Sequence, residues 1–311
     1  MNRMYVKKKL FSFFKFWSRL LFGKNLGFIP GLRILHRAIF KSLRPNGIVH
    51  IEIFGRPFLI YSEDTGEGGD LLLYGIYSPF ETALLRKLVK PGMTAVDIGA
   101  HIGYFTVMMA DVVGDAGHVY AFEPEQRNFE LLSKNIALNK FSNVSLYNMA
   151  LLDKSGRRDL YLDASNLGNF SFAKENIPSV SVKGKVAVDT STLDEVLPHV
   201  KVDFVKIDIQ GAEALAISGG EKLLSYVKTM IIEFWPYGLR NFGSDPFSFL
   251  KKLLEKGFSI YVMDEARKMF KKTTPEKLIQ VSNNRPQGKG WANVVCYRGD
   301  LDADIDNILT R

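Results

Sequence analysis

The sequence predicts an α/β fold in which helices cover both faces of a mostly parallel sheet, preceded by a basic helical region. Two observations lead to this prediction. From residue 93 onward, short apolar runs alternate with stretches of helical periodicity, the pattern of parallel strands joined by crossover helices. The chain of 311 residues is also 46% hydrophobic, which is sufficient for one large core with a small appendage.

Charge is unevenly distributed along the chain. The net charge is +8, yet residues 1–50 alone hold eleven lysines and arginines and no acidic residue. The remaining residues hold 30 basic and 33 acidic side chains, so the body of the protein is close to neutral. An enzyme acting on nucleic acid needs a basic catalytic face, so this distribution makes a nucleic-acid partner an unfavoured prediction.

The sequence divides into three predicted parts. Residues 1–45 form a basic amphipathic arm, residues 46–74 a small β-hairpin with a linker, and residues 75–311 the main domain. The single cysteine, Cys296, excludes an intrachain disulfide framework and favours a reducing compartment. We therefore expect a cytoplasmic protein. Peripheral attachment to the inner face of the membrane through the arm is an open alternative.

Residues 6–22 form the first predicted helix, and most of its apolar side chains share one broad face. Lys15 and Arg19 interrupt the apolar stretch, so it is too short and too charged to span a bilayer. A basic amphipathic helix rich in Phe and Trp is typical of an anionic membrane interface, and packing on protein is an equal alternative. In the membrane alternative, the residues expected to enter the bilayer are Phe13, Phe14, Trp17 and Leu21. Those expected to face the headgroups are Lys8, Lys15 and Arg19.

The elements that follow are predicted in chain order. A second amphipathic helix covers residues 32–43, a hairpin covers 48–60, an acidic, glycine-rich loop covers 62–70, and a helix covers 80–89. Strands are predicted at 93–98, 118–122, 144–149, 203–208 and 228–234, with an antiparallel final pair at 258–263 and 292–298. Helices are predicted at 103–112, 125–139, 192–197, 212–224 and 246–256. Residues 154–190 break the alternation, and we read them as an inserted β-ribbon suited to acceptor specificity.

Polar residues stand at the carboxyl ends of five predicted strands, where an open parallel sheet binds its ligand. They are Asp97, Glu123, Asn148, Asp208 and Glu233. The first predicted strand ends in Asp97 and is followed by a turn with two glycines, Gly99 and Gly103. This turn lacks the three glycines of a dinucleotide fingerprint, and Glu123, twenty residues beyond it, is placed to hold a ribose. A carboxylate before the turn suits a positively charged nucleoside without phosphate, so we expect S-adenosylmethionine.

The second informative stretch is KIDIQGAE, residues 206–213. Strand alternation places Lys206 and Asp208 on one face, and Glu213 opens the next helix. A hydroxyl acceptor must lose its proton, and Asp208 is the best-placed base, kept ionised by Lys206. A buried ion pair is an equal alternative for Lys206, as helix capping is for Glu213. Glu81 lies on the first turn of a predicted helix, where compensation of the helix charge is its favoured role.

These motifs resemble the FkbM family of class I S-adenosylmethionine-dependent methyltransferases. The matching stretches are VDIGAHIGYFT, VYAFEPEQRNFELLSKNIALN, NMALLDKSG, DFVKIDIQGAEALAISGG and IIEF, within residues 74–234. The resemblance implies a doubly wound, Rossmann-like sheet with a reversed last strand, and O-methylation of small-molecule or glycan hydroxyls. Two departures are His101, where the family usually has Asn, and Gln210, where it usually has Glu.

The resemblance also assigns site residues. It implies a cofactor set of Asp97, Gly99, Ala100, His101, Gly103, Glu123, Pro124, Asn148, Met149 and Ala150, and a catalytic set of Asp208, Lys206 and Glu213. Mg²⁺ stays an open expectation, weakened by Gln210, and no metal ligands are assigned. We expect an O-methyltransferase acting on a glycan, glycolipid or small-molecule hydroxyl. The alternatives are an RNA 2′-O-methyltransferase and a cofactor-binding protein without catalysis.

Overall fold

The computed structural model describes residues 3–22, 32–284, 289–299 and 301. The chain forms two compact units, Met1–Tyr77 and Ser78–Arg311. The predicted arm and the predicted hairpin both belong to the first unit, while the boundaries drawn at residues 45 and 74 stay predictions. Within the described residues, no helix is both long enough and apolar enough to cross a membrane.

The described residues of the first unit, 3–22 and 32–77, form three helices and one hairpin. Its elements are α1 (Arg3–Phe22), α2 (Leu32–Leu43), β1 (Ile48–Ile53), β2 (Arg56–Tyr61) and α3 (Glu67–Tyr74). Strands β1 and β2 pair antiparallel, as the alternation predicted. Their two-residue turn, Phe54 and Gly55, has positive φ angles of 53° and 75°, the geometry that matches the twist of a tight hairpin.

Helix α1 presents two different apolar faces. One face packs on α2, where the ring centroids of Phe11 and Phe40 are 6.2 Å apart and those of Phe14 and His36 are 4.9 Å apart. The other face is exposed and carries Leu10, Phe13, Phe16, Trp17 and Leu20. Phe14 was expected on the same broad face as Phe13 and Trp17, but it is half-buried against α2. The side chains of Lys8 and Leu21 lie outside the described residues.

The predicted loop at residues 62–70 is corrected, because α3 begins within it at Glu67. Asp64 supplies the reason. Its Oδ1 accepts a hydrogen bond from the N–H of Gly66 (3.0 Å), and its Oδ2 accepts one from Gly68 (2.7 Å). A carboxylate that accepts from the first N–H groups of a helix stabilises its start, even where glycines disfavour the helix itself.

The second unit is built on an eight-stranded sheet, together with a separate three-stranded sheet. The strands are β3 (Thr94–Ile98), β4 (His118–Phe122), β5 (Val144–Tyr147), β6 (Ala150–Leu151), β7 (Gly156–Asp163), β8 (Val182–Ser191), β9 (Phe204–Ile207), β10 (Thr229–Phe234), β11 (Ser259–Asp264), β12 (Met269–Lys272) and β13 (Ala292–Tyr297). The large sheet has the order β12-β11-β13-β10-β9-β3-β4-β5. Strands β5, β4, β3, β9 and β10 are parallel, and β13 runs antiparallel to β10 and β11. The predicted fold class is thus confirmed.

The helices of this unit surround the large sheet. They are α4 (Pro79–Leu88), α5 (Tyr104–Val113), α6 (Gln126–Leu138), α7 (Leu193–Val196), α8 (Glu213–Gly219), α9 (Glu221–Leu224), α10 (Pro236–Asn241), α11 (Pro246–Glu255) and α12 (Pro275–Asn283). The single helix predicted at 212–224 is two helices, because the chain breaks at Gly220. A Cβ at the preceding Gly219 would overlap the carbonyl oxygen of Leu152, so this approach requires glycine.

Strands β7 and β8 form the antiparallel ribbon at the place where the alternation of strands and helices breaks down. They pair from Gly156 with Thr190 to Asp163 with Val182, a longer pairing than the short pieces expected from the sequence. Strand β6 adds to β8 as a third strand. The order of the large sheet reverses at β3, between β4 and β9, so the ligand crevice of this fold opens there, beneath the ribbon loop.

Candidate active site

The first strand tip joins Asp97 to the neighbouring strand. Asp97 on β3 lies directly opposite Lys206 on β9 in the strand register. Asp97 is buried, and the hydroxyl of Thr106 donates a hydrogen bond of 2.6 Å to its Oδ2. Thr106 belongs to α5, so this bond fixes the helix against the strand end and orients the carboxylate.

The turn after β3 is held against both neighbouring strands. The N–H groups of Gly99 and Ala100 each donate 3.0 Å hydrogen bonds to the carbonyl of Phe122, at the end of β4. Gly99 has a φ of 86°, and a Cβ there would overlap the carbonyl oxygen of Asp208. Glycine is therefore required at this position by the close approach of the chain itself.

Glu123 lies immediately after β4 and organises the same corner. Its Oε2 accepts the N–H of His101 and its Oε1 accepts the N–H of Glu125, both at 2.9 Å. Burial raises the pKa of Glu123 to about 7, although these N–H donors favour the charged form. A carboxylate oxygen has more than one lone pair, so each oxygen can still accept a hydrogen bond from a ligand hydroxyl.

A cleft enclosing about 530 Å³ opens at these strand ends. Seven predicted site residues line it: Gly99, His101, Glu123, Pro124, Met149, Ala150 and Asp208. The other predicted residues do not: Asp97, Ala100, Gly103, Asn148, Lys206 and Glu213. The structure thus brings residues of the predicted cofactor set and Asp208 of the predicted catalytic set together in one cleft. The remaining predicted residues do not contribute to its lining. Their individual roles toward a ligand stay predictions.

Asn148, predicted to belong to the cofactor set, binds main-chain carbonyls. Its Nδ2 donates to the carbonyls of Glu123 (2.9 Å) and Pro124 (3.2 Å). The side chain thereby ties the segment after β5 to the segment after β4. This arrangement supports the shape of the cleft wall rather than direct contact.

Asn128 is a cleft residue that sequence reasoning missed. Its Nδ2 donates a hydrogen bond to the carbonyl of Leu167 (3.0 Å), so Oδ1 is the side-chain atom whose hydrogen bonding has to be accounted for separately. Asn128 is 1% exposed, and Oδ1 is buried without a hydrogen-bond partner among the described residues. A buried acceptor left unsatisfied costs about 1–3 kcal/mol, so Oδ1 is suited to accept an N–H or O–H of a bound ligand.

The ribbon covers the cleft from the opposite side. The ribbon residues that line it are Leu160, Leu167, Gly168, Phe170 and Phe172. Hydrogen bonds attach the loop on both sides of the cleft: Asn128 donates to the carbonyl of Leu167, and the carbonyl of Gln210 accepts hydrogen bonds of 2.8 Å from Ser171 and from Asn176. The ribbon therefore spans the cleft from Asn128 at one end to Gln210 at the other.

Asp208 is held by two donors. The Nζ of Lys206 lies 3.3 Å from Oδ2, and the Nε2 of Gln210 lies 2.8 Å from Oδ1. Lys206 is buried, and its Nζ lies 4.5 Å from the centroid of the Phe105 ring. Burial opposes the ammonium charge, but the carboxylates led by Asp208 raise the pKa of Lys206 above its ordinary value. The predicted pairing on one strand face is present, so Lys206 serves as the counter-ion of Asp208.

Two further carboxyls face this pair. Burial raises the pKa of Glu81 to about 7, and burial together with the charge of Asp208 raises the pKa of Glu233 well above its ordinary value. Glu81 accepts a hydrogen bond of 2.8 Å from the Nδ2 of Asn293, on β13. The helix-charge role favoured for Glu81 falls instead to Glu265, whose carboxylate accepts the N–H groups of Phe80 and Glu81.

Glu213 lies beneath the turn that follows Asp208. Its Oε1 accepts the N–H groups of Ile209 (3.2 Å) and Gly211 (3.0 Å), and burial raises its pKa to about 7. The residue is fully buried and outside the cleft lining. This geometry favours the capping alternative over direct participation in chemistry. Within the parts of the chain that the structure describes, no group of three or more His, Cys, Asp or Glu residues could hold a metal, so the Mg²⁺ expectation gains no support.

Comparison with known proteins identifies relatives of this domain. The sequence model of the methyltransferase FkbM domain matches residues 97–260, more than half of the chain. The chain is 28% identical to methyltransferase sdnD of Sordaria araneosa over 197 residues, which cover 53% of this chain and 73% of that protein. It is 25% identical to 2-O-methyltransferase NoeI of Sinorhizobium fredii over 165 residues, covering 49% and 67% respectively.

Solved structures show a weaker likeness. A SAM-dependent methyltransferase from Aquifex aeolicus aligns with 71% of this chain and 89% of that chain, at 14% sequence identity and a TM-score of 0.38. A likeness of this size adds nothing to the strand order and site geometry described above.

Proposed function

Because the chain belongs to the FkbM methyltransferase family, we propose that it is an S-adenosylmethionine-dependent O-methyltransferase acting on a glycan, glycolipid or small-molecule hydroxyl. The observation that carries the proposal is the position of Asp208. Its carboxylate lines the cleft and is held by the ammonium of Lys206 at 3.3 Å and the amide of Gln210 at 2.8 Å. The name of NoeI, a 2-O-methyltransferase, supports oxygen as the accepting atom.

The residues at the other end of the cleft fit the cofactor. The carboxylate of Glu123 is suited to accept the ribose hydroxyls, and the buried Oδ1 of Asn128 is an acceptor that lacks a protein donor among the described residues. Pro124, Met149 and Ala150 supply the apolar wall that a purine ring requires. When bound, S-adenosylmethionine supplies a methyl group activated by the positive sulfur.

The protein's own contribution is positioning and proton removal. Asp208 accepts the proton of the acceptor hydroxyl as the new carbon–oxygen bond forms, which makes it the general base. Its two hydrogen bonds use two of about four acceptor sites of the carboxylate, so sites remain for the acceptor proton. The ribbon excludes water above the same cleft and orients the acceptor.

The test begins with binding of S-adenosylhomocysteine by calorimetry, followed by transfer of labelled methyl groups to glycans, lipid-linked sugars, small hydroxyl compounds and RNA. Asp208→Asn is nearly isosteric but cannot accept the proton. We expect it to lower turnover about 10²–10⁴-fold with little change in cofactor affinity. A variant that keeps turnover but loses cofactor affinity contradicts the base assignment. Methylation of RNA alone contradicts the acceptor class.

We also propose that the protein binds an anionic membrane surface through α1. On the exposed face of α1, Phe13 is 64% and Phe16 is 62% exposed, and residues 1–50 carry no acidic side chain. Vesicles containing phosphatidylglycerol should bind the full chain in a salt-sensitive manner, and neutral phosphatidylcholine vesicles should bind it less.

Trp17→Ser should weaken vesicle binding, because it removes an aromatic ring from the exposed face of α1. Trp291→Ser removes an exposed indole from the second unit, 57% exposed against 41% for Trp17, and serves as the matched control. Equal binding to both vesicle types, or a change in oligomeric state rather than in vesicle binding, counts against the membrane.

A further inference from the structure

Gln210 lies between two carboxyl groups that belong to neighbouring strands. Its Nε2 is 2.8 Å from Oδ1 of Asp208, just after β9, and 2.9 Å from Oε2 of Glu233, on β10. An amide nitrogen carries two hydrogens, so one side chain can donate to both carboxyl groups at once. The bridge joins the candidate base to the next strand of the sheet.

The bridging residue Gln210 has an uncommon backbone conformation. Its φ is 54°, in the left-handed region that a residue with a Cβ seldom occupies. The Gln210 carbonyl accepts hydrogen bonds from Ser171 and Asn176 of the ribbon, both at 2.8 Å. A Cβ at the next residue, Gly211, would lie 2.7 Å from the carbonyl of Gly238. Contacts on both sides therefore fix this strained backbone conformation.

The charges around the bridge are unbalanced. Asp208, Glu81 and Asp97 all act on the buried ammonium of Lys206, which pairs directly with Asp208, and Glu233 lies in the field of the same group of charges. Two adjacent carboxyl groups repel each other when both are ionised, unless a donor or a cation lies between them. The amide nitrogen of Gln210 occupies that position, so a cation that bridged Asp208 and Glu233 would have to displace it.

We propose that Gln210 is a positioning residue that bridges Asp208 and Glu233 as a divalent cation would, and that a glutamate at this position makes a divalent-cation site. The consequence for proton transfer rests on the proposed function, since the bridge fixes the orientation of Asp208 toward the acceptor. The bridge itself concerns only this chain's own residues. It can therefore be tested without cofactor or acceptor.

The decisive variant is Gln210→Glu in the full chain. It replaces a two-hydrogen donor with a third carboxyl beside Asp208 and Glu233. Lys206 near β9, Glu81 on α4 and Glu213 on α8 are the other charged groups that act on Glu233. Three oxygen-donor carboxyls are a typical ligand set for Mn²⁺ or Mg²⁺. We expect the variant to bind Mn²⁺ about tenfold or more tightly than the unaltered protein, measured by electron paramagnetic resonance.

Thermal unfolding supplies a readout that depends on protonation. At pH 7.5 we expect Gln210→Glu to melt below the unaltered protein, and at pH 5.5 we expect the difference to shrink, because the introduced carboxyl then keeps its proton. Mn²⁺ or Mg²⁺ should restore the melting temperature of the variant at pH 7.5. A residue with a merely structural role would show neither the pH dependence nor the metal rescue.

Gln126→Glu is the matched control. Gln126 is exposed and donates to one carboxylate, Glu130, at 3.0 Å, so the same change there should produce no response to Mn²⁺. Equal Mn²⁺ affinity in Gln210→Glu and the unaltered protein overturns the proposal. So does a Gln210→Glu variant that fails to fold at pH 5.5 with Mn²⁺ present. Neither result bears on methyl transfer, which the Asp208→Asn experiment tests separately.

Discussion

The carboxylate of Glu123 holds two backbone N–H groups and, on the proposed function, also accepts a ribose hydroxyl. The variant Glu123→Ala separates these two roles. The carboxylate accepts the N–H groups of His101 and Glu125, both at 2.9 Å, in a buried corner. Removing it leaves two buried donors without an acceptor, at about 1–3 kcal/mol each. The total of roughly 2–6 kcal/mol is lower than or comparable to the stability of a typical domain, so we expect a folded but less stable protein.

The loss of affinity has a separate origin. A hydrogen bond from a ligand hydroxyl to a charged carboxylate contributes about 1.5–3 kcal/mol, which corresponds to a tenfold or greater loss of affinity. Calorimetry with S-adenosylhomocysteine measures it, at a temperature where circular dichroism shows the variant folded. Because the pKa of Glu123 is about 7 and hydroxyl donors prefer the ionised form, affinity of the unaltered protein should rise from pH 6 to pH 8.

Two variants complete this experiment. Glu123→Gln keeps the shape but cannot ionise, so its affinity should lack the Glu123 part of the rise with pH. Glu130→Ala, an exposed glutamate on α6, should leave both affinity and stability near their original values. The reasoning is refuted if folded Glu123→Ala binds S-adenosylhomocysteine as tightly as the unaltered protein does.

Three further predictions follow from the same geometry. Asn128→Ala should weaken S-adenosylhomocysteine binding about tenfold by calorimetry, because the buried Oδ1 accepts a ligand hydrogen; unchanged affinity contradicts this role. Gly99→Ala should lower the melting temperature far more than Gly243→Ala, since both glycines have positive φ but only Gly99 would place its Cβ against another residue. Glu81 has a folded pKa of about 7, above its ordinary 4.5, so the folded state retains a proton and stability falls as pH rises between those values. Urea unfolding at pH 5.5 and 8 should show that Glu81→Gln removes part of this fall.

The sequence was informative wherever a feature depends on neighbouring residues. The strand, glycine turn and helix from Thr94 to Val113 follow from local periodicity. The alternation of strands with helices likewise predicts that the strands are parallel. The register that sets Asp97 against Lys206 follows once those strands pair. Strand-end acids could therefore be predicted to meet at one edge of the sheet.

Features that depend on distant partners could not be read in this way. Asn128 lies in an ordinary amphipathic helix, and only its bond to Leu167, 39 residues away, shows that its Oδ1 is left buried without a protein donor among the described residues. From the sequence, Gln210 is only the loss of a carboxylate; its role becomes visible when Glu233 is found beside it. The requirement for glycine at the end of α8 likewise depends on Leu152, whose carbonyl approaches Gly219 from another part of the fold.

The attachment of the ribbon has a consequence for how this enzyme can diversify. At these two attachment points the acceptor is a main-chain carbonyl, that of Leu167 and that of Gln210, but the donors come from opposite sides. The carbonyl of Leu167 is present whatever side chain that residue carries, so Leu167 can be replaced without loss of its bond to Asn128. The Gln210 attachment instead needs the side chains of Ser171 and Asn176 within the ribbon. On the proposed function, residues 167–170 are therefore free to change the acceptor that the cleft takes, while Ser171 and Asn176 are retained to hold the ribbon in place.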